Sequence, residues 1–202
     1  GVVRADEDFS KNLKTVKVSA LTSISDSYSM LNAKKKNITY KANQRIVETV
    51  TQSGKKMNII FRISNDGVAF QYEFPEKSND IKKIVTEATT FHFNDGTRAW
   101  LQPKAEAQTG FEHTNPSYED YYRSNIATGT SSPGANGWIY PALFKYNDTW
   151  LMLTEASLGK NYAGTALQQH SPDSEYKVNF PQAAEVFTNG KATLLPESTL
   201  PW

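Results

Sequence analysis

The strongest constraint on the fold is a run of alternating apolar residues that reverses direction and runs again. Met57, Ile59, Phe61 and Ile63 stand at every second position, which places them on one face of a strand. Ser64-Asn65-Asp66-Gly67 follows, and its Asp-Gly pair suits the positive φ of a tight reversal. Val68, Phe70, Tyr72 and Phe74 then alternate until Pro75, which cannot donate to a ladder, ends the run. This hairpin is expected to depend on Phe70 as a core side chain and on Gly67 as a residue of positive φ.

The same punctuation recurs along the chain. Ile81–Val85 is a short β-type run, and Phe91 and Phe93 lead into Asn94-Asp95-Gly96, from which Arg98–Leu101 departs towards Pro103. Tyr140–Tyr146 and Trp150–Thr154 flank Asn147-Asp148-Thr149, and Tyr176–Phe180, Glu185–Thr188 and Ala192–Leu195 complete the set. Short strands between turn residues, with no helix-length apolar stripe, indicate an all-β sandwich or barrel. Two stretches depart from the pattern. Ala20–Met30 is Ser-rich and reads as a loop or irregular edge, and Lys104–Gly137 reads as one long loop carrying Tyr118, Tyr121 and Tyr122. Loops longer than about 12–15 residues within a domain are usually functional or disordered, and the aromatic content here argues against disorder.

A chain of 202 residues suffices for one large all-β domain with its own core. No internal repeat and no linker divides it. With 22 basic against 21 acidic residues, no single-signed field exists to attract a polyanion, so nucleic acid is a poor partner. The short runs Lys34–Lys36 and Lys55-Lys56 read as exposed loop charge. The absence of cysteine excludes disulfides, thiolate catalysis and cysteine-ligated zinc. No apolar run is long enough to span a bilayer. Gly1–Ser10 has no signal-peptide core, as a trimmed chain would also lack one, so export stays open.

Nucleotide-binding glycine loops and the nucleophile elbow of serine hydrolases are absent, and His92, His113 and His170 form no short-spaced metal motif. The segment most suited to chemistry is Glu112–Tyr122. Its Glu119 and Asp120 stand beside tyrosines, a combination that fits sugar recognition, a hard cation wanting about 6–8 oxygens, or a solvated loop whose rings pack on the sandwich. Glu155, after the apolar strand Trp150–Leu153, reads either as a ligand or as a hydrogen-bonded strand end. Trp100 and Trp150 read as core, whereas Trp138, at the end of the long loop, is the indole placed for ligand stacking.

Several stretches resemble the N-terminal domain of glycoside hydrolase family 97, which comprises α-glucosidases and α-galactosidases of Bacteroides and its relatives. Ile63–Pro75 is similar to that family's Asn-Asp-Gly-x-x-Phe-x-Tyr-Glu-Phe-Pro hairpin. In order follow Trp100, then Tyr118-Glu119 with Tyr121 or Tyr122, then Glu155-Ala156 with Leu158 and Tyr162, and finally Leu200-Pro201-Trp202. The resemblance implies a β-super-sandwich of the galactose mutarotase-like kind, packed on a catalytic (β/α)8 barrel. It implies a periplasmic parent enzyme acting on oligosaccharides, whose acid and base or nucleophile have no counterpart in this chain. It also implies that Glu119 is one ligand of an active-site Ca²⁺ in the inverting members. The rings expected to contact sugar, from the residue chemistry above, are Tyr118, Tyr122 and Trp138. The stretch between Trp100 and Glu119 is longer than in the family pattern. Two other readings remain: a free-standing carbohydrate-binding module, and a structural or interaction sandwich without a ligand.

Overall fold

The computed structural model describes residues 1–105, 120–181 and 195–202. Its strands are β1 (Val2–Arg4), β2 (Glu7–Asp8), β3 (Lys14–Val18), β4 (Thr22–Ser29), β5 (Asn37–Val50), β6 (Lys56–Ile63), β7 (Val68–Glu73) and β8 (Ser78–Glu87). They continue with β9 (Thr90–His92), β10 (Arg98–Leu101), β11 (Arg123–Ala127), β12 (Ala142–Tyr146), β13 (Thr149–Leu153), β14 (Ala166–Leu167), β15 (Glu175–Asn179) and β16 (Glu197–Leu200). The only helical turn among the described residues is the 3-10 turn Pro172–Ser174, so the expected all-β class holds. The strand expected at Glu185–Thr188, and that expected at Ala192–Leu195 except for Leu195, fall on 182–194, outside the described residues.

The chain forms two compact units. The first comprises Gly1–Asp6 and Lys83–Ser198. Its main sheet has the order β11-β10-β12-β13, and a second sheet has the order β14-β15-β9. Ala99, Leu101, Ala142 and Phe144 from the first sheet meet Leu167 and Tyr176 from the second in one buried cluster. Phe93 stacks on Phe144 with centroids 3.9 Å apart, and Tyr176 sits edge-on to both rings at 5.8 and 5.4 Å. This is a two-layer sandwich whose inward positions alternate along each strand. Trp138 belongs to that cluster, fully buried, through antiparallel bridges to Pro103 and Leu167. β1 pairs antiparallel with β8, from Val2 opposite Glu87 to Arg4 opposite Ile84.

The second unit comprises Glu7–Lys82 and Thr199–Trp202. Its sheet has the order β3-β5-β6-β7, with β4 also paired to β5. The β6–β7 hairpin has the register expected from its alternation, with Ile63 opposite Val68, Phe61 opposite Phe70 and Ile59 opposite Tyr72. Its loop closes through Ser64, whose N–H donates to the Gly67 carbonyl at 2.9 Å and whose hydroxyl donates to Asp66 Oδ1 at 2.6 Å.

Two expectations require correction in this unit, and a third, left between two readings, is resolved. Gly67 lies outside the positive-φ region, and nothing stands within 4 Å of where its Cβ would be, so the loop does not reserve that position for glycine. The shared apolar face is buried only at the end nearer Met57 and Phe74, while Phe70 is 38% exposed. Phe70→Ala is therefore expected to cost this chain about 1 kcal/mol, against roughly 3–5 for a fully buried phenylalanine, as read by chemical denaturation. A cost inside the higher range would mean that the outer end of the hairpin is covered. Of the two readings of Ala20–Met30 the edge holds, in regular form: β4 pairs with β5, from Thr22 opposite Gln44 to Ser29 opposite Asn37, and with no other described strand. Its serines make cross-strand polar pairs, Ser23 with Asn43 at 3.3 Å and Ser29 with Asn37 at 2.9 Å. Such a strand carries no apolar alternation to reveal it.

Candidate functional site

Of the residues singled out from sequence, Tyr118 and Glu119 lie outside the described residues, as do Glu112 and His113. Tyr122 is 47% exposed just before β11, and Tyr121 beside it is more exposed still. Asp120 accepts the Tyr121 N–H through Oδ1 at 2.6 Å. One such carboxylate is far from the oxygen set that Ca²⁺ takes. No group of three metal-ligating side chains occurs among the described residues.

Trp138 is not a stacking platform. With 0% exposure it is part of the core, and it stands where the strand-like segment around it meets Leu167. Around it the far end of the long segment is clamped to its root. Lys104 N–H donates to the Gly137 carbonyl at 2.8 Å, Asn136 Nδ2 donates to the Ala105 carbonyl at 2.9 Å, and Ser132 Oγ donates to the Gly137 carbonyl at 2.8 Å. Lys104–Gly137 is also not loop throughout, since β11 lies within it.

The indoles that do reach the surface are those expected inside. β10, β12 and β13 pair with Arg98 opposite Lys145, Lys145 opposite Trp150, Trp100 opposite Leu143 and Leu143 opposite Met152. These residues share the face turned away from Ala99 and Phe144. Trp100 is half-buried and Trp150 is 51% exposed, their rings 4.9 Å apart at 46°. Lys145 Nζ lies 5.0 Å from the Trp150 ring, and Arg98 Nε donates to Asn125 Oδ1 at 3.0 Å.

Sequence reasoning missed a polar cluster in the first unit. Glu155 accepts the Thr165 N–H on both oxygens, at 3.2 and 3.0 Å, and also accepts the Thr165 hydroxyl. Tyr140 shares a hydrogen bond with the Thr165 side chain. Glu87 accepts from the Thr89 hydroxyl at 2.8 Å and from the Tyr162 hydroxyl. Glu155 is thus the hydrogen-bonded strand end of the two readings. Both carboxylates are engaged by protein donors, so the cluster anchors the 155–165 segment and does not resemble an acid–base pair awaiting substrate. Its clue in the sequence is the run Glu155-Ala156, Leu158 and Tyr162, which carries part of the family resemblance.

Burial, reinforced by the Glu155 charge, pushes the Tyr140 phenol well above its ordinary value, and burial raises Tyr176 as well. A phenol raised in the folded state lends stability that is complete below the unfolded value of about 10 and fades as pH climbs past it. In an ultraviolet titration these two tyrosines should stay neutral after the exposed ones ionise, until alkali unfolds the chain. Simultaneous ionisation of all ten tyrosines with native circular dichroism intact would contradict this.

The whole chain, residues 1–202, matches the family described as Glycosyl-hydrolase 97 N-terminal, and it belongs to that family. A beta-arabinopyranosidase of known structure superposes with a TM-score of 0.92 at 32% identity, over 100% of this chain and 32% of its own. A Glycoside Hydrolase Family 97 enzyme from Pseudoalteromonas sp. strain K8, solved in complex with acarbose, gives a TM-score of 0.66 at 21% identity over 95% and 27% of the two chains. The same enzyme bearing E480Q was solved with panose. A probable retaining alpha-galactosidase of Streptomyces bingchenggensis is 23% identical over 126 residues, 62% of this chain and 17% of its own. The chain thus spans a third or less of each of these relatives.

Proposed function

We propose that this chain is the non-catalytic N-terminal domain of a family 97 glycosidase, set against a (β/α)8 catalytic barrel and forming one wall of its oligosaccharide pocket. The observation that carries the reading is that a family defined as an N-terminal domain matches the chain from end to end. Its relatives devote most of their length to something else. Glu87 and Glu155 fit it too, because both are held by protein donors. The calcium role of Glu119 and a periplasmic location of the parent rest on the family resemblance, and the sugar roles of Tyr118 and Tyr122 on the aromatic, carboxylate-bearing segment they belong to. A free-standing binding module loses its best ring now that Trp138 is buried.

The isolated chain should not turn over nitrophenyl α-glucoside, α-galactoside or β-arabinopyranoside. Reproducible turnover abolished by mutating one carboxylate would overturn the non-catalytic assignment. In the full-length enzyme, Glu119→Gln keeps shape and removes charge. It should weaken Ca²⁺ binding by about tenfold, or 1.4 kcal/mol, and lower turnover with partial rescue by excess calcium. Glu112→Gln and Asp120→Asn are the controls. Calorimetric titration in which a control loses calcium while Glu119→Gln keeps it would reassign the ligand without disturbing the domain reading.

A further inference from the structure

The sheet β11-β10-β12-β13 fills its own core with one face and leaves an apolar surface on the other. Across three adjacent strands that outer face carries Trp100, Leu143, Trp150 and Met152, flanked by Arg98 and Lys145. Trp150 is 51% and Met152 60% exposed. Trp, Met and Arg are the residue types enriched at protein–protein contacts, where a few large side chains carry most of the binding energy. We propose that this face is the surface on which the rest of the parent polypeptide docks, an inference that rests on the N-terminal-domain reading.

Two observations select that occupant. The structural relatives extend far beyond the matched region, which covers only 32% and 27% of their chains, so the parent is expected to supply a large neighbouring domain. An oligosaccharide fits this face less well. The two indoles are tilted by 46° and make no common plane, Lys145 lies over the Trp150 ring, and the Arg98 guanidinium is held by Asn125.

The three methionines provide the test. Met57 is fully buried, whereas Met30 and Met152 are 42% and 60% exposed. Sulfoxide formation follows exposure, so in the full-length enzyme treated with peroxide Met152 should oxidise about tenfold more slowly than Met30 and close to the rate of Met57. Peptide mass spectrometry reads all three. Oxidation of Met152 at the rate of Met30 overturns the proposal. So does protection that appears only with added panose or acarbose, which would mark a sugar surface, or only at high protein concentration, which would mark a second copy. A second arm uses Trp150→Ala in the full-length enzyme. It should accelerate Met152 oxidation at least about fivefold and split one calorimetric transition into two, as expected when a large interface anchor is lost. An unchanged oxidation rate and a single unshifted transition count against the proposal. Because calcium affinity of Glu119→Gln is measured separately, failure here leaves the domain reading standing.

Discussion

Gly137→Ala is expected to destabilise the first unit by more than about 3 kcal/mol, enough to lower the melting midpoint by roughly 6–12 °C in a chain of this size. Gly137 has φ +82°, and an added Cβ would fall far inside contact distance of the Leu167 carbonyl oxygen and 3.0 Å from the Gln168 carbonyl carbon. That oxygen cannot move away, because it accepts the Trp138 N–H at 2.8 Å, while Leu167 N–H donates back to Trp138 at the same distance. Gly96 supplies the control. It has φ +81° with nothing within 4 Å of its Cβ position, so Gly96→Ala should cost only the backbone strain of about 1–2 kcal/mol. Equal losses at the two positions would show that φ alone matters and that the close approach to Leu167 is not tight.

Trp138→Ala should cost about 3–5 kcal/mol, whereas Trp150→Ala in the isolated chain should cost under about 1. The contrast follows from 0% against 51% exposure. Trp138 closes the cluster of Ala99, Leu101, Phe144, Leu167 and Tyr176, so its removal leaves a cavity between two sheets that cannot collapse without breaking ladders. Trp150 gives up its ring contact with Trp100 and the cation of Lys145, both at the surface. Denaturant midpoints at unchanged slope measure both. A larger loss at Trp150 would mean that its face is covered even in the isolated chain.

The two tryptophans also mark what sequence could and could not reveal. Alternation and turn residues give the Phe61–Phe70 register and the positions of the three turns, because these are local properties, although the conformation of Gly67 within the first turn differs. It could not say which face of β13 points inward, since that depends on where Phe144 lies across the sheet and what packs beneath it. Sequence alone therefore points Trp150 to the core and Trp138 to the surface, the reverse of their places. β4 stayed hidden because its pairing is sustained by serine and asparagine side chains, and polar alternation looks like loop. The Glu87–Tyr162 bond joins residues 75 apart in sequence, beyond the reach of any spacing argument. For the candidate site, only Tyr122 among the tyrosines and glutamate assigned to it lies on described residues, as an exposed ring beside β11.

The division of the chain into two units has a consequence for how the protein can be made. The first six residues belong with the segment that starts at Lys83, and the last four belong with the segment that ends at Lys82. β1 must therefore wait on the ribosome until β8 emerges, because Val2 and Arg4 find their partners only at Glu87 and Ile84. Conversely, the second unit, whose hairpins are synthesised early, is closed only when Trp202 arrives to exchange backbone hydrogen bonds with Phe74 at 2.6 and 3.1 Å. Each unit holds the other's end as hostage, so cutting the gene between codons 82 and 83 would yield two incomplete halves. Domains commonly mature in the order of synthesis. Here the interleaving ties completion of both units to the emergence of Thr199–Trp202.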